Sequence, residues 1–235
     1  MTTLGIEREV KKLGTKTRAQ ISARFFKTGP GEYGAGDVFA GLTSAQIDAL
    51  AKKYMGLKLP EVKTLLYSPI HEVRAIGLHI LVLQFKHGDE KTQKQIFNFY
   101  LTNLKRVNNW DLVDMSAHHI VGTYLLNRPK IILSKLAKSK NLWERRASIV
   151  ATYAFIRTNQ LTDTFKLARV LISDQHDLIH KAVGWMLREA GKKDIPALEK
   201  FLQTNRKLLP RTTLRYALER LPKAQRQKYL NGKIV

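Results

Sequence analysis

The sequence contains no cysteine, few acidic residues and no long apolar run. Without cysteine among its 235 residues, the chain has no disulfide framework, no thiol nucleophile and no thiolate metal site. The longest apolar run, residues 80–85, is far too short to cross a bilayer, and the first ten residues lack the apolar core of a signal peptide. We therefore expect the protein to stay in the cytoplasm where it is made.

The charge balance is strongly basic, with 41 Lys and Arg against 19 Asp and Glu and a formal net charge of +22. Solubility requires far less charge than this, so a polyanionic partner is indicated. The basic residues are spread along the whole chain instead of clustering on one amphipathic helix, which favours nucleic acid over a membrane surface. A merely basic protein without such a partner is the alternative.

The pattern of apolar residues predicts an all-α fold. Strand signals are nearly absent, whereas apolar residues recur at spacings of three and four from Ser44 almost to the C-terminus, separated by short turns. The hydrophobic content of 44% is enough to build a packed core. Eight stretches each predict one helix: residues 68–85, 89–104, 128–139, 141–156, 161–173, 175–191, 194–204 and 211–222.

Four of these helices share a small residue at a regular interval. The alanines are separated by 72, 35 and 35 residues, so one period is about 35 to 36 residues and the first gap spans two periods. A helix pair of this length with a close helix contact predicts a HEAT-like α-solenoid. The four residues are Ala75, Ala147, Ala182 and Ala217.

The predicted organisation is a single solenoid domain over residues 1–235. Residues 1–43 form an N-terminal helix and a glycine-rich connection, and residues 44–235 form tandem helix pairs. In three of the four copies the residue before the alanine is basic, Arg74, Arg146 or Lys181, which predicts a basic ridge along one face of the solenoid.

The skipped copy falls near position 111, within VNNWDLVDMSAHHIVG, and differs chemically from the other copies. Asn108 or Asn109 can cap its helix, and Asp111 then lies in the first turn, where the helix dipole explains it. Asp114 lies a full turn further along, on the same face as Trp110. Either a salt bridge to a neighbouring arginine or a catalytic role explains this carboxylate.

The other two tryptophans also share a helix face with a charged group. Trp143 precedes Arg146 by three residues, and Trp185 precedes Arg188 by three. One interpretation is that such pairs on successive repeats line a concave groove, with rings for stacking and guanidinium groups for phosphates. The alternative is that a tryptophan, Trp143 in particular, belongs to the core.

The glycine-rich segment, residues 24–41 (RFFKTGPGEYGAGDVFAG), carries five glycines between Gly29 and Gly41. It lacks the GK[ST] ending of a phosphate loop, and no strand precedes it. A flexible or tightly turned connection is the favoured interpretation.

Two histidine pairs are candidate sites. His176 and His180 have the spacing of a zincin helix, but no obvious third ligand follows, and they also suit the polar start of a helix. His118 and His119 are adjacent, so on an α-helix they point about 100° apart and are not expected to act as a pair.

The pieces NNWDLVD, LWERRA and KAVGWMLRE, carried on tandem helix pairs, resemble the AlkD-type DNA alkylation-repair glycosylases. The N-terminal FFKTGPGEYGAGDVFAG is similar to a segment common in that family, and the resemblance spans nearly the whole chain. The family implies a solenoid whose basic concave face binds duplex DNA and removes alkylated purines such as 3-methyladenine and 7-methylguanine, with the lesion left largely stacked. A solenoid with its own cap regions is usually monomeric, so we expect a monomer, and we expect no metal or other cofactor.

The resemblance assigns roles residue by residue. Asp114 would be the catalytic carboxylate, Trp110 and Trp185 the walls beside the lesion, and Arg146 and Arg188 the contacts to the DNA backbone. The family's best-studied type has a tyrosine at the position of Phe25, so a hydroxyl is missing here.

Two functions follow from the sequence. The first is a monofunctional DNA glycosylase acting on nucleoid DNA, and the second is a non-catalytic HEAT-like protein that binds nucleic acid or serves as a scaffold. A lyase step is not favoured, because no lysine stands in an apolar setting that would lower its pKa.

Overall fold

The computed structural model describes residues 2–231, and these residues are largely helical. The helices are α1 (Thr3–Leu13), α2 (Lys16–Phe25), α3 (Ser44–Lys53), α4 (Leu59–Leu66), α5 (His71–His87), α6 (Glu90–Thr102), α7 (Trp110–Ala117), α8 (Thr123–Leu125), α9 (Ile131–Ala137), α10 (Leu142–Val150), α11 (Tyr153–Arg157), α12 (Thr162–Leu171), α13 (Asp177–Gly191), α14 (Ile195–Thr204), α15 (Arg211–Ala217) and α16 (Lys223–Leu230). A 3-10 turn covers Leu104–Arg106 and a π-helical turn covers His118–Gly122. Within the described residues the only strand-like pairing is an isolated bridge between Val38 and Ile70. The all-α prediction is confirmed.

The chain divides into two compact units, Met1–Ile120 and Val121–Val235. In the first unit two helices, α1 and α2, precede the glycine-rich segment, where the sequence indicated one. The organisation into a single domain, divided at residues 43 and 44, stays a prediction.

Helix α5 is the centre of the first unit. It packs against α3, α4, α6 and α7, and Ile76, Leu78 and Leu81 on it are fully buried. Gly77 allows the close approach of α4, because a Cβ there would lie 3.1 Å from the Cβ of Leu65. Burial of these apolar faces is the main source of stability for such a helix array.

Three alanine-bearing helices of the second unit follow one another in space. Helix α10 packs on α13, and α13 packs on α15. Their alanines, Ala147, Ala182 and Ala217, are all buried. The predicted period therefore corresponds to successive helix layers, and the fold class of HEAT-like helical repeats is confirmed.

The predicted basic ridge is wrong at two of its three positions. Arg74 is 2% exposed and Arg146 is 5% exposed. The Arg74 guanidinium donates to the carbonyls of Ser68 and Pro69, and the Arg146 guanidinium donates to the carbonyl of Leu178. These arginines satisfy backbone acceptors inside the packing, because a buried carbonyl needs a donor.

Among residues 2–231, no helix has both the length and the apolar character needed to span a membrane.

Candidate active site

Helix α7 begins at an asparagine that serves two partners. Asn109 is fully buried, and its Oδ1 accepts a hydrogen bond from the Trp110 backbone N–H at 2.8 Å. Its Nδ2 donates to Oδ2 of Asp37 at 3.2 Å. The predicted cap is thereby confirmed at Asn109, and the same side chain ties the start of α7 to the glycine-rich segment.

Trp110 lies against the aromatic residues at the start of that segment. Its ring stacks on Phe26, with centroids 5.3 Å apart and planes inclined by 25°. The ring of Phe25 meets it edge-on at 5.8 Å. The indole Nε1 donates to the Tyr33 hydroxyl at 3.2 Å. One face of the indole is thus covered, while the side chain as a whole remains partly exposed.

Asp114 lies one turn further along α7 and is partly exposed. Tyr100 lies behind it, with its hydroxyl 2.9 Å from Oγ of Ser116. Burial raises the pKa of Tyr100 well above its ordinary value, and the negative charge of Asp114 adds to that rise. Tyr100 therefore keeps its proton to a higher pH than an ordinary tyrosine.

A buried ionic cluster lies beneath the start of α7. Nδ1 of His71 is 3.4 Å from Asp37, and Nε2 of His71 is 2.8 Å from Asp111. Arg74 pairs with the other oxygen of Asp37 at 2.6 Å. Burial raises the pKa of Asp37, but hydrogen bonding from His71, the charge of Arg74 and the Asn109 amide together lower it below its usual value.

The glycine-rich segment is tightly turned. Gly31, Gly36 and Gly41 have φ of 76°, 87° and 86°, which glycine adopts without strain. The carboxylate of Glu72 accepts from the backbone amides of residues 40, 41 and 42 at 2.9, 2.7 and 3.2 Å. Because the Glu72 carboxylate already accepts from these amides, they are not available to bind a phosphate.

The second unit carries the remaining predicted site residues. Trp185 is partly exposed, and its ring lies 5.9 Å from that of Tyr153. Arg188 pairs with Glu189 and Glu219. Trp143 is 7% exposed and belongs to the core. For Arg146, burial favours a packing role, and its contact with DNA stays a prediction.

The rings of the adjacent histidines lie against each other. The ring centroids of His118 and His119 are 3.9 Å apart, and the two residues begin a π-helical turn. The expectation that their rings diverge is wrong.

The histidines at the start of α13 have structural partners. Nδ1 of His176 accepts from the Leu178 N–H, which caps the helix, and Nε2 of His180 bonds the carbonyl of Asp174. Within residues 2–231 there is no cluster of three candidate metal ligands.

Sequence reasoning missed the residues that hold Trp110 in place. Four residues contact Trp110 or the first turn of α7, either directly or through one other residue. They are Phe26, Tyr33, Asp37 and His71. The available signals were the HEVRA start of α5, with a histidine and an arginine one turn apart, and the aspartate that follows GAG.

The fold and this site together define a class of protein. It is a helical-repeat protein that carries a carboxylate and an indole on the same face of one helix. The family model described as "DNA alkylation repair enzyme" matches residues 6–221, and the chain belongs to that family. A solved structure described as a predicted DNA alkylation repair enzyme from Enterococcus faecalis is similar in fold, with a TM-score of 0.71 and 16% identity, covering 89% of this chain and 97% of that one. No curated protein matches the chain. Membership of the family assigns the chain to repair of alkylation damage in DNA.

Proposed function

We propose that the protein is a monofunctional DNA glycosylase that hydrolyses the N-glycosidic bond of alkylated purines, 3-methyladenine and 7-methylguanine, in duplex DNA. Asp114 is the catalytic carboxylate of this proposal, and Trp110 is a wall beside the lesion. The observation that carries it is the position of a partly exposed carboxylate one helical turn from a braced indole, in a chain of net charge +22.

The chemistry requires little more than a well-positioned carboxylate. Alkylation at N3 or N7 makes the purine cationic, so when the bond from C1′ breaks, its electron pair leaves with the base and neutralises it. Positive charge develops on the deoxyribose, and Asp114 stabilises that oxocarbenium-like state. Water then adds to C1′ and gives its proton to the carboxylate and on to solvent. The free base and an abasic site are the products.

The other predicted residues belong to the same proposal. Trp185 is the second wall beside the lesion, and Phe25, which is 63% exposed, is a further DNA contact. Arg188 contacts the DNA backbone, for which it must exchange Glu219 for a phosphate oxygen. The protein acts as a monomer, without a cofactor, on nucleoid DNA in the cytoplasm.

The test is release of free methylated purines from methylated duplex DNA at one fixed salt concentration. We expect wild type to release them and Asp114→Asn to lose at least about a hundredfold in single-turnover rate, as when one key electrostatic group is removed. DNA binding by this variant should be similar or slightly tighter, because a negative charge near phosphates is removed. The matched control is Asp48→Asn, which removes a partly exposed carboxylate of the same unit that pairs with Lys52 and His79.

Two outcomes would contradict the proposal. Excision by Asp114→Asn at the wild-type rate would remove Asp114 from the reaction. Tight DNA binding by wild type without release of any alkylated base would favour the second function, a non-catalytic helical-repeat platform for nucleic acid.

A further inference from the structure

His71 lies where three elements of the first unit meet. It is the first residue of α5, and its side chain is 3% exposed. Asp37, from the glycine-rich segment, lies 3.4 Å from Nδ1, and Asp111, in the first turn of α7, lies 2.8 Å from Nε2. A single imidazole thus bridges two segments that are 74 residues apart in the sequence.

The surroundings of His71 favour its charged form. Phe26 and Phe39, which stack on each other, both lie against the ring, with centroids 5.1 and 4.6 Å from it. Burial lowers the pKa of His71, but hydrogen bonds to Asp111 and Asp37 outweigh it and raise the pKa to about 9, against a smaller opposing effect of Arg74. At neutral pH both ring nitrogens therefore carry a proton and both donate.

The charged groups nearest to the imidazole lie on α5 and α7 and in the glycine-rich segment. On α5, Arg74 is paired with Asp37, and Glu72 is held by the backbone amides of residues 40–42. On α7, Asp111 is the acceptor of His71 itself. Asp111, Asp37 and Arg74 are the charged groups that act most strongly on the imidazole; Arg106 acts on Arg74, and His79 is influenced by Asp111.

We propose that His71 is a positioning residue: by donating to Asp37 and Asp111 together, it fixes the first turn of α7, and with it Trp110, against the aromatic start of the glycine-rich segment. Trp110 directly precedes Asp111, so a shift of that carboxylate moves the indole. Asp114 follows on the same rigid helix. The effect on base excision rests on the proposed function, whereas the effect on Trp110 does not.

The first experiment observes Trp110 without DNA. In a proton–nitrogen NMR spectrum the three indole N–H signals are assigned with Trp→Phe variants. His71→Gln should shift or broaden the Trp110 signal and leave Trp143 and Trp185 unchanged. The matched control is His87→Gln, at the exposed C-terminal end of the same helix, which should leave all three unchanged. An unmoved Trp110 signal in folded His71→Gln would overturn the proposal.

A titration separates positioning from general loss of structure. Because the pKa of His71 is raised, its proton is present at neutral pH and is lost as pH rises through about 9. The wild-type Trp110 signal should therefore move with a midpoint near 9, and the movement should be absent in His71→Gln. If that variant does not fold, Asp111→Asn serves instead: it removes the charge but keeps an acceptor, so the midpoint should fall. A midpoint that stays unchanged would contradict the proposal.

Excision by the same proteins completes the test. Single-turnover base release by His71→Gln should be reduced about 10- to 100-fold with little change in DNA affinity, as expected when a reacting group is displaced by a fraction of an ångström to one ångström. Rates are corrected for enzyme-free release at each pH. A shifted Trp110 signal with no excision by wild type would leave the positioning role intact and reject the glycosylase. A shifted signal with an unchanged excision rate would reject the role of His71 in the reaction.

Discussion

At the scale of single residues, the Tyr33 hydroxyl links the indole of Trp110 to the backbone of Phe25. The Tyr33 hydroxyl accepts from the indole N–H of Trp110 and lies 3.5 Å from the carbonyl of Phe25, to which it donates. An indole N–H within a packed site needs an acceptor. Tyr33, eight residues further along, supplies one that a phenylalanine at position 25 does not.

Tyr33→Phe should therefore leave the Trp110 N–H without its protein acceptor. We expect a loss of about 0.5–1.5 kcal/mol in the free energy of unfolding, typical of one hydrogen bond, and a several-fold slower excision rate. Thermal melting and single-turnover release measure the two effects. The control is Tyr67→Phe, since Tyr67 is exposed and contacts Arg106 instead. Equal losses in both variants would contradict a specific role of the Tyr33 hydroxyl.

At the scale of helices, the local sequence pattern predicts where the helices lie but not which residues contact one another across them. The spacing of apolar residues found α5, α6 and α13 within a few residues because helix periodicity is a local property. His71 and Asp111 are 40 residues apart, and nothing in either neighbourhood specifies the other. Arg74 was expected at the surface because basic side chains usually are; its acceptors are long-range or in the preceding turn.

The close contact of α13 with α15 gives a test of the repeat packing. A Cβ at Gly184 would lie 2.7 Å from the Thr213 carbonyl oxygen and 2.5 Å from the Cβ of Tyr216. Gly184→Ala must push α15 away, and we expect about 1–3 kcal/mol of destabilisation, measured by denaturant unfolding. Gly56→Ala is the control, because a Cβ there meets nothing within 4 Å. A neutral Gly184→Ala would mean that the two helices separate at little cost.

At the scale of the whole molecule, the excess of positive charge is the dominant electrostatic feature. Several basic groups are already neutralised within the protein: Arg74 pairs with Asp37, Arg145 with Asp174, and Arg188 with Glu189 and Glu219. Phosphate contacts must therefore come largely from other Lys and Arg side chains among the 41. The composition alone predicts a polyanionic partner, but it does not show which basic side chains form ion pairs within the protein.

DNA affinity should accordingly fall steeply with salt. Neutralising about 6–10 phosphates predicts a loss of about 10³- to 10⁵-fold between 50 and 200 mM monovalent salt. Fluorescence anisotropy with undamaged duplex DNA measures this slope, and Asp114→Asn should leave it nearly parallel to wild type. A slope corresponding to one or two phosphates would show that the excess charge does not drive binding.

The carboxylate of Glu72 contacts three consecutive backbone amides at residues 40–42, which has a consequence for protein engineering. The loop and the side chain that shapes it lie on opposite sides of any crossover point between residues 42 and 72. A chimera that receives only the N-terminal 42 residues inherits the sequence of the loop without its template. Such a transplant keeps its conformation only if the host supplies a glutamate at the equivalent position of the fifth helix.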